Sequence, residues 1–144
     1  MTHIDVSIAS FKSISLKEMD AVALMNRTDT KYLASKQDVL AVLNFLSDKY
    51  QVLQIAEKRL FQYRTIYFDT SDKSLLYEHL RGKLNRVKVR AREYVGTTSR
   101  FFEIKHKSNK GNTIKSRIPK ISDMQKIEGE ESVFLSSVSG LKAE

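Results

Sequence analysis

Asn85-Arg-Val-Lys-Val-Arg-Ala-Arg-Glu-Tyr94 is the stretch that decides how this chain folds. Its residues alternate in character with a period of two, the period of a β-strand. One face carries Arg86, Lys88, Arg90, Arg92 and then Tyr94, and the other carries Val87, Val89 and Ala91. Same-face neighbours on a strand lie roughly 7 Å apart, so each adjacent cation pair repels by about 2 kcal/mol at an effective dielectric of about 20. A purely structural sheet gains nothing from such a face, whereas one that holds an anion does.

Downstream, the same alternation recurs. Arg100 to Lys107 sets Glu103, Lys105 and Lys107 opposite Phe102 and Ile104, and Thr113 to Ile118 sets Lys115 and Arg117 opposite Ile114 and Ile118. Gly96-Thr-Thr-Ser99 and Ser108-Asn-Lys-Gly111 suit hairpin loops between these strands. Pro119, the only proline, suits the end of an edge strand. Folded as a meander, the three strands would pack their apolar faces against helices and align their cations on the other side. Alternating Lys and Arg is also the pattern of a merely solvated sheet face, and Lys115 or Arg117 taken singly reads as surface. The same bias on three adjacent strands favours an anion groove, and arginine's planar fork suits phosphate oxygens.

Upstream, Ser15-Leu-Lys-Glu18 reads as a capping box opening a helix to about Met25. Arg27 to Leu33 reads as a short strand. Ser35 caps a second helix with Val39, Leu40, Leu43 and Leu46 at helical spacing. Gln51 to Ile55 and Leu60 to Asp69 are β-rich. Ser71 can cap a short helix through Leu80, which Gly82 would stop. Phe61, Tyr63, Tyr67 and Phe68 read as core, leaving Phe101 as the ring clearly on the cationic face and Tyr94 at a strand end. That is poor equipment for stacking bases. A helical signal runs from Glu131 to Val138. The whole reads as an α+β domain with an antiparallel sheet and helices outside it.

Composition narrows the function classes. The chain has 144 residues, with 25 Lys and Arg against 17 Asp and Glu, a net charge of +8. That balance points to a polyanionic partner. No apolar run approaches the ~18 residues of a membrane span, and no signal peptide is visible. The absence of cysteine removes disulfides and thiolate chemistry and suits a cytoplasmic location. His3, His79 and His106 show no metal-ligand spacing, and neither a Walker-type nor a dinucleotide-binding glycine loop is present. Phosphate would have to be recognised by side chains.

The motifs in order are Arg27-Thr-Asp-Thr-Lys31-Tyr32, then Tyr63-Arg-Thr-Ile-Tyr-Phe-Asp69-Thr70, then Arg90-Ala-Arg92-Glu-Tyr94, Glu103-Ile-Lys105 and Lys115-Ser-Arg117. Over about residues 11 to 118 this series resembles the VTC domain, the polyphosphate polymerase module of the vacuolar transporter chaperone family. That family is similar to the CYTH proteins within the triphosphate tunnel metalloenzymes. The resemblance implies a sheet curled into part of a tunnel whose cationic interior grips a triphosphate or polyphosphate. It implies Lys31, Arg90, Arg92, Lys105 and Lys115 as catalytic cations, with Lys88, Arg117, Arg27 and Tyr94 as further substrate contacts. The implied reaction transfers the γ-phosphoryl group of a nucleoside triphosphate to a growing polyphosphate chain with Mn²⁺ or Mg²⁺.

Two departures from the family pattern shape what is expected. Arg27-x-Asp29-x-Lys31 stands where the wider superfamily has Glu-x-Glu-x-Lys, so Asp29 is not assigned as a metal ligand. The second half of the tunnel, with its metal-binding glutamate, has no counterpart in the sequence. The expectation is therefore a single, truncated N-terminal portion of such a domain across 1–144, with 119–144 leading toward the missing half. Such a chain would bind phosphate without turning it over, and would self-associate through the open edge of Thr113 to Ile118. The alternatives are a non-catalytic polyanion-binding module and a triphosphate hydrolase; specific nucleic acid is not an expected partner.

Overall fold

Among the residues described by a computed structural model, 3–21 and 30–143, three helices and two short strands build the first unit, Met1–Phe61. Helix α1 (His3–Ala9) leads into strand β1 (Lys12–Ile14) and helix α2 (Leu16–Ala21), followed by α3 (Lys36–Leu46) and β2 (Gln51–Leu53). The expected capping box at Ser15 forms, and the expected Ser35 cap proves to be a capping box as well. The Ser15 backbone N–H donates to Glu18 Oε2 at 2.9 Å, and the Glu18 N–H donates to Ser15 Oγ at 3.3 Å. Ser35 and Asp38 repeat the arrangement at the start of α3. The continuation of α2 to Met25, with Arg27 and Asp29, lies outside the described residues. In the described part of the expected strand ending at Leu33 no strand forms; Tyr32 and Leu33 are exposed and find no neighbouring backbone to pair with.

β1 pairs with β2 in parallel, Ser13 opposite Val52. Arg59 holds this unit's connections together. Its guanidinium donates to the carbonyls of Ile8, Ala9 and Phe11 at 3.0–3.1 Å and to Gln54 Oε1 at 2.8 Å. The carbonyls at and just after the end of α1 lack helical partners, and one planar cation satisfies three of them.

The second unit, Gln62–Glu144, contains β3 (Tyr63–Phe68), α4 (Ser74–Leu80), β4 (Arg86–Tyr94), β5 (Arg100–Lys107), β6 (Thr113–Pro119) and α5 (Glu130–Ser139). The strands form an antiparallel sheet in the order β3-β4-β5-β6. It is open, with β3 and β6 at its edges, and the described strands do not close into a barrel. The fold is α+β. The cap of α4 differs from the expected Ser71. The Asp69 carboxylate accepts the N–H groups of Leu75 and Leu76, both at 2.9 Å, and Thr70 Oγ1 accepts that of Ser74 at 3.0 Å. A carboxylate satisfies two free amides at once, and a serine hydroxyl only one. Gly82 stops the helix as expected, at φ +69°, its N–H bonded to the His79 carbonyl.

Val89, Phe102, Ile104 and Leu135 form the buried core, with Phe68, Leu75 and Phe134 packed against them. Phe102 makes edge contacts with Phe68 at 5.9 Å and Phe134 at 6.3 Å. One face of the sheet is thus covered by helix. A buried ion pair fastens α5 to the end of β6: Lys120 Nζ lies 2.6 Å from Glu131 Oε2, and the N–H groups of Ile121 and Ser122 donate to Glu131 Oε1. Burial pushes the Glu131 carboxyl up, but hydrogen bonds from Lys120 and Ser122 outweigh it and hold the group below its ordinary value.

Removing one partner of a buried pair strands the other charge, so Glu131→Ala should cost about 3–5 kcal/mol in urea unfolding. The pair of changes Lys120→Met with Glu131→Leu should recover most of that loss. Glu131's contribution is complete above the ordinary value of 4.5 and is lost as pH falls through the lower folded value, so the acid limb of the stability curve should flatten in the double variant.

Candidate functional site

In an antiparallel ladder, residues directly opposite each other point to the same side. The register sets Tyr67 beside Arg90, Arg90 beside Glu103 and Glu103 beside Arg117; the next row runs Lys88, Lys105, Lys115. Arg86 and Lys107 form a further row, and Thr65, Arg92 and Phe101 lie on the opposite side of the Arg90 row. The face away from the core therefore collects Arg86, Lys88, Arg90, Arg92, Lys105, Lys107, Lys115 and Arg117. Among the described strand residues Glu103 is its only acid.

Glu103 organises the centre of this face. It is 1% exposed, and its two oxygens lie 2.6 Å from Arg90 Nε and 2.5 Å from Lys115 Nζ. Burial pushes its carboxyl up, yet the hydrogen bonds from Lys115 and Arg90 prevail and keep it ionised below the ordinary range. Arg90 is itself buried, held between Glu103 and the Tyr67 hydroxyl. Lys105, next along, makes no hydrogen bond or ion pair among the described residues. Its burial, with Arg90 and Lys115 nearby, depresses its amine below the ordinary 10.5. Lys88 Nζ lies 3.0 Å from the His79 ring.

The opposite face treats charge differently. There Glu93 takes Arg64 at 2.9 Å and Arg100 at 3.1 Å. Among the described strand residues, the cationic face sets one carboxylate against eight cations.

Of the expected site residues, the structure brings together Arg90, Arg92, Lys105, Lys115, Lys88, Arg117 and Tyr94. Lys31 belongs to the first unit, on an exposed coil, and Arg27 lies outside the described residues. Three rings expected in the core are not there: Phe61 is exposed, and Tyr63 and Tyr67 lie on the cationic face, 54% and 60% exposed. Arg92 stacks on Tyr63 at 4.2 Å, and Arg117 on Phe101 at 4.5 Å. The signal for these rings was present, since Ile66 and Phe68 alternate with them and fill the core side of β3.

The described residues do not fit a protein-held divalent cation. No group of three or more His, Asp or Glu side chains converges among them, and both Glu103 oxygens are occupied by cations. No described helix is long and apolar enough to cross a membrane.

A sequence model of the VTC domain matches residues 26–128. No curated protein and no solved structure shows significant similarity to the chain. The match spans both the segment around Lys31 and the cationic strands β4 to β6, and it covers most of the sequence. The chain belongs to the VTC domain family.

Proposed function

We propose that the β3–β6 face binds a triphosphate or polyphosphate chain, with Arg90, Arg92, Lys105 and Lys115 as its principal contacts and Lys88 and Arg117 flanking them. The observation that carries this reading is the charge imbalance. Eight cations share a face with one carboxylate, and that carboxylate holds Arg90 and Lys115 in place without neutralising the rest. A string of phosphates replaces mutual repulsion with charge-assisted hydrogen bonds along several rows.

Family membership makes phosphoryl transfer from a nucleoside triphosphate to polyphosphate the reaction to test. The described residues would supply positioning and charge neutralisation, which dominate such transfers. Lys31 and Arg27 enter this reading through the family pattern. An Mn²⁺ or Mg²⁺ ion would arrive chelated by the phosphate oxygens. Analysing the products of ATP with the metal separates polymerase from hydrolase, and an absence of both products alongside tight binding supports a binding module.

Tripolyphosphate should bind more tightly than a nucleoside or a sugar phosphate, and its affinity should fall as salt rises. Lys105→Ala should weaken that binding by about tenfold, the loss of one charge-assisted contact of ~1.5 kcal/mol. Its melting temperature should hold or rise, because the change removes a repelled charge. Calorimetric titration and thermal melts together check both halves, and unchanged affinity in Lys105→Ala would remove this residue from the site.

Because Lys105 loses its proton below the ordinary lysine value, tripolyphosphate affinity should begin to fall on the alkaline side before pH reaches 10.5. Lys105→Arg keeps its charge throughout, so its affinity–pH profile should stay flat over that interval.

A further inference from the structure

We propose that two copies of this chain close into a ring through their sheet edges, β6 of each pairing antiparallel with β3 of the other. Among the described strands both edges of the sheet are open, and joining two four-stranded sheets at both edges makes an eight-stranded antiparallel barrel. A closed barrel is the arrangement that leaves no edge.

Backbone phase fixes which groups each edge offers. In an antiparallel strand the N–H and C=O of one residue point to one side, and those of its neighbours to the other. The Lys120 N–H donates to the Arg100 carbonyl at 2.9 Å, so the even-numbered residues of β6 turn to β5. Thr113, Lys115 and Arg117 therefore aim both groups outward, and Pro119 offers only its carbonyl. The Val95 N–H donates to the Gln62 carbonyl at 2.9 Å, so on β3 it is Tyr63, Thr65 and Tyr67 that aim outward. Setting Tyr63 opposite Arg117, Thr65 opposite Lys115 and Tyr67 opposite Thr113 gives every one of these groups a partner. A shift of two residues loses a pair to Pro119 or to the hairpin before Thr113. Since β3 and β6 run in opposite directions within one sheet, a two-fold axis along the strands makes both junctions antiparallel and identical.

The side chains agree with this register. On the cationic side, Arg117 and Lys115 would meet Tyr63 and Thr65, both uncharged. On the other side Ile114, apolar yet 61% exposed, would meet Ile66. Pairing β6 with β6 would set Lys115 against Lys115, and like charges directly opposite are destabilising. Pairing β3 with β3 would leave both β6 edges open. Phe134 and Leu135 of α5 cover the core face, so the barrel would turn its cationic faces inward. Here the proposal rests on the reading of that face as a phosphate site: the facing cations repel until a polyanion or concentrated salt screens them.

Sedimentation of the parent chain should shift from monomer to dimer when tripolyphosphate is added, and also in about 1 M sodium chloride, where the Debye length is about 3 Å. The chain has no cysteine, so Ile66→Cys and Ile114→Cys each introduce a single thiol. Opposite residues of a non-hydrogen-bonded pair have Cα atoms about 4.5 Å apart, within disulfide reach. Mixed and oxidised under dimer conditions, the two variants should cross-link to each other, and each alone should run as a single chain on a non-reducing gel. Circular dichroism confirms the fold of both. Cross-linking of Ile114→Cys alone, no cross-link in the mixture, or growth into filaments would overturn the pairing. So would a parent chain that stays monomeric throughout, which would return Lys115 and Pro119 to the role of keeping strands apart. A monomer that binds tripolyphosphate would leave the phosphate reading standing, whereas a salt-induced, cross-linkable dimer that binds none would support the pairing and remove that reading.

Discussion

The two-residue period of a β-strand, combined with burial of one side, is the constraint from which the rest of this structure follows. Once Val89, Phe102 and Ile104 are packed under Phe134 and Leu135, every alternate residue of β4 and β5 must face the other way. Those alternates include Arg86, Lys88, Arg90, Arg92, Lys105 and Lys107, with Glu103 and the rings of Tyr94 and Phe101 among them. A slip of one residue would bury cations and expose the core, so the register that makes the fold stable also gathers the charge. Stability and the candidate site are two sides of one ladder.

Such a face carries a cost, and the chain offsets only part of it. Glu103 neutralises Arg90 and Lys115 at the centre, and the rings of Tyr63 and Phe101 accept Arg92 and Arg117. These contacts fix the direction of the guanidinium groups without cancelling the charge of the face. Elsewhere the same chain balances its charges closely, as with Glu93 between two arginines and Lys120 with Glu131. The contrast argues that the surplus on the cationic face serves a ligand.

Much of this was legible in the residues themselves. Strong alternation in β4, β5 and β6 marked the strands, their order and the shared side of their cations, because period-two patterning is local. The capping box at Ser15, the cap at Ser35 and the stop at Gly82 were equally local. What the residues in isolation left undecided was everything set by a partner distant in sequence. β3 shows its rings to the cationic side only because it pairs with β4 in the register Tyr63 to Tyr94. α4 is capped by Asp69 because the chain turns back through Lys73 in a left-handed conformation. Lys120 and Glu131 look like surface charges until β6 and α5 bring them together away from water. The sequence by itself determined which side chains share a strand face; tertiary pairing decided which faces meet, since strand register and burial belong to pairs of segments and never to one segment alone.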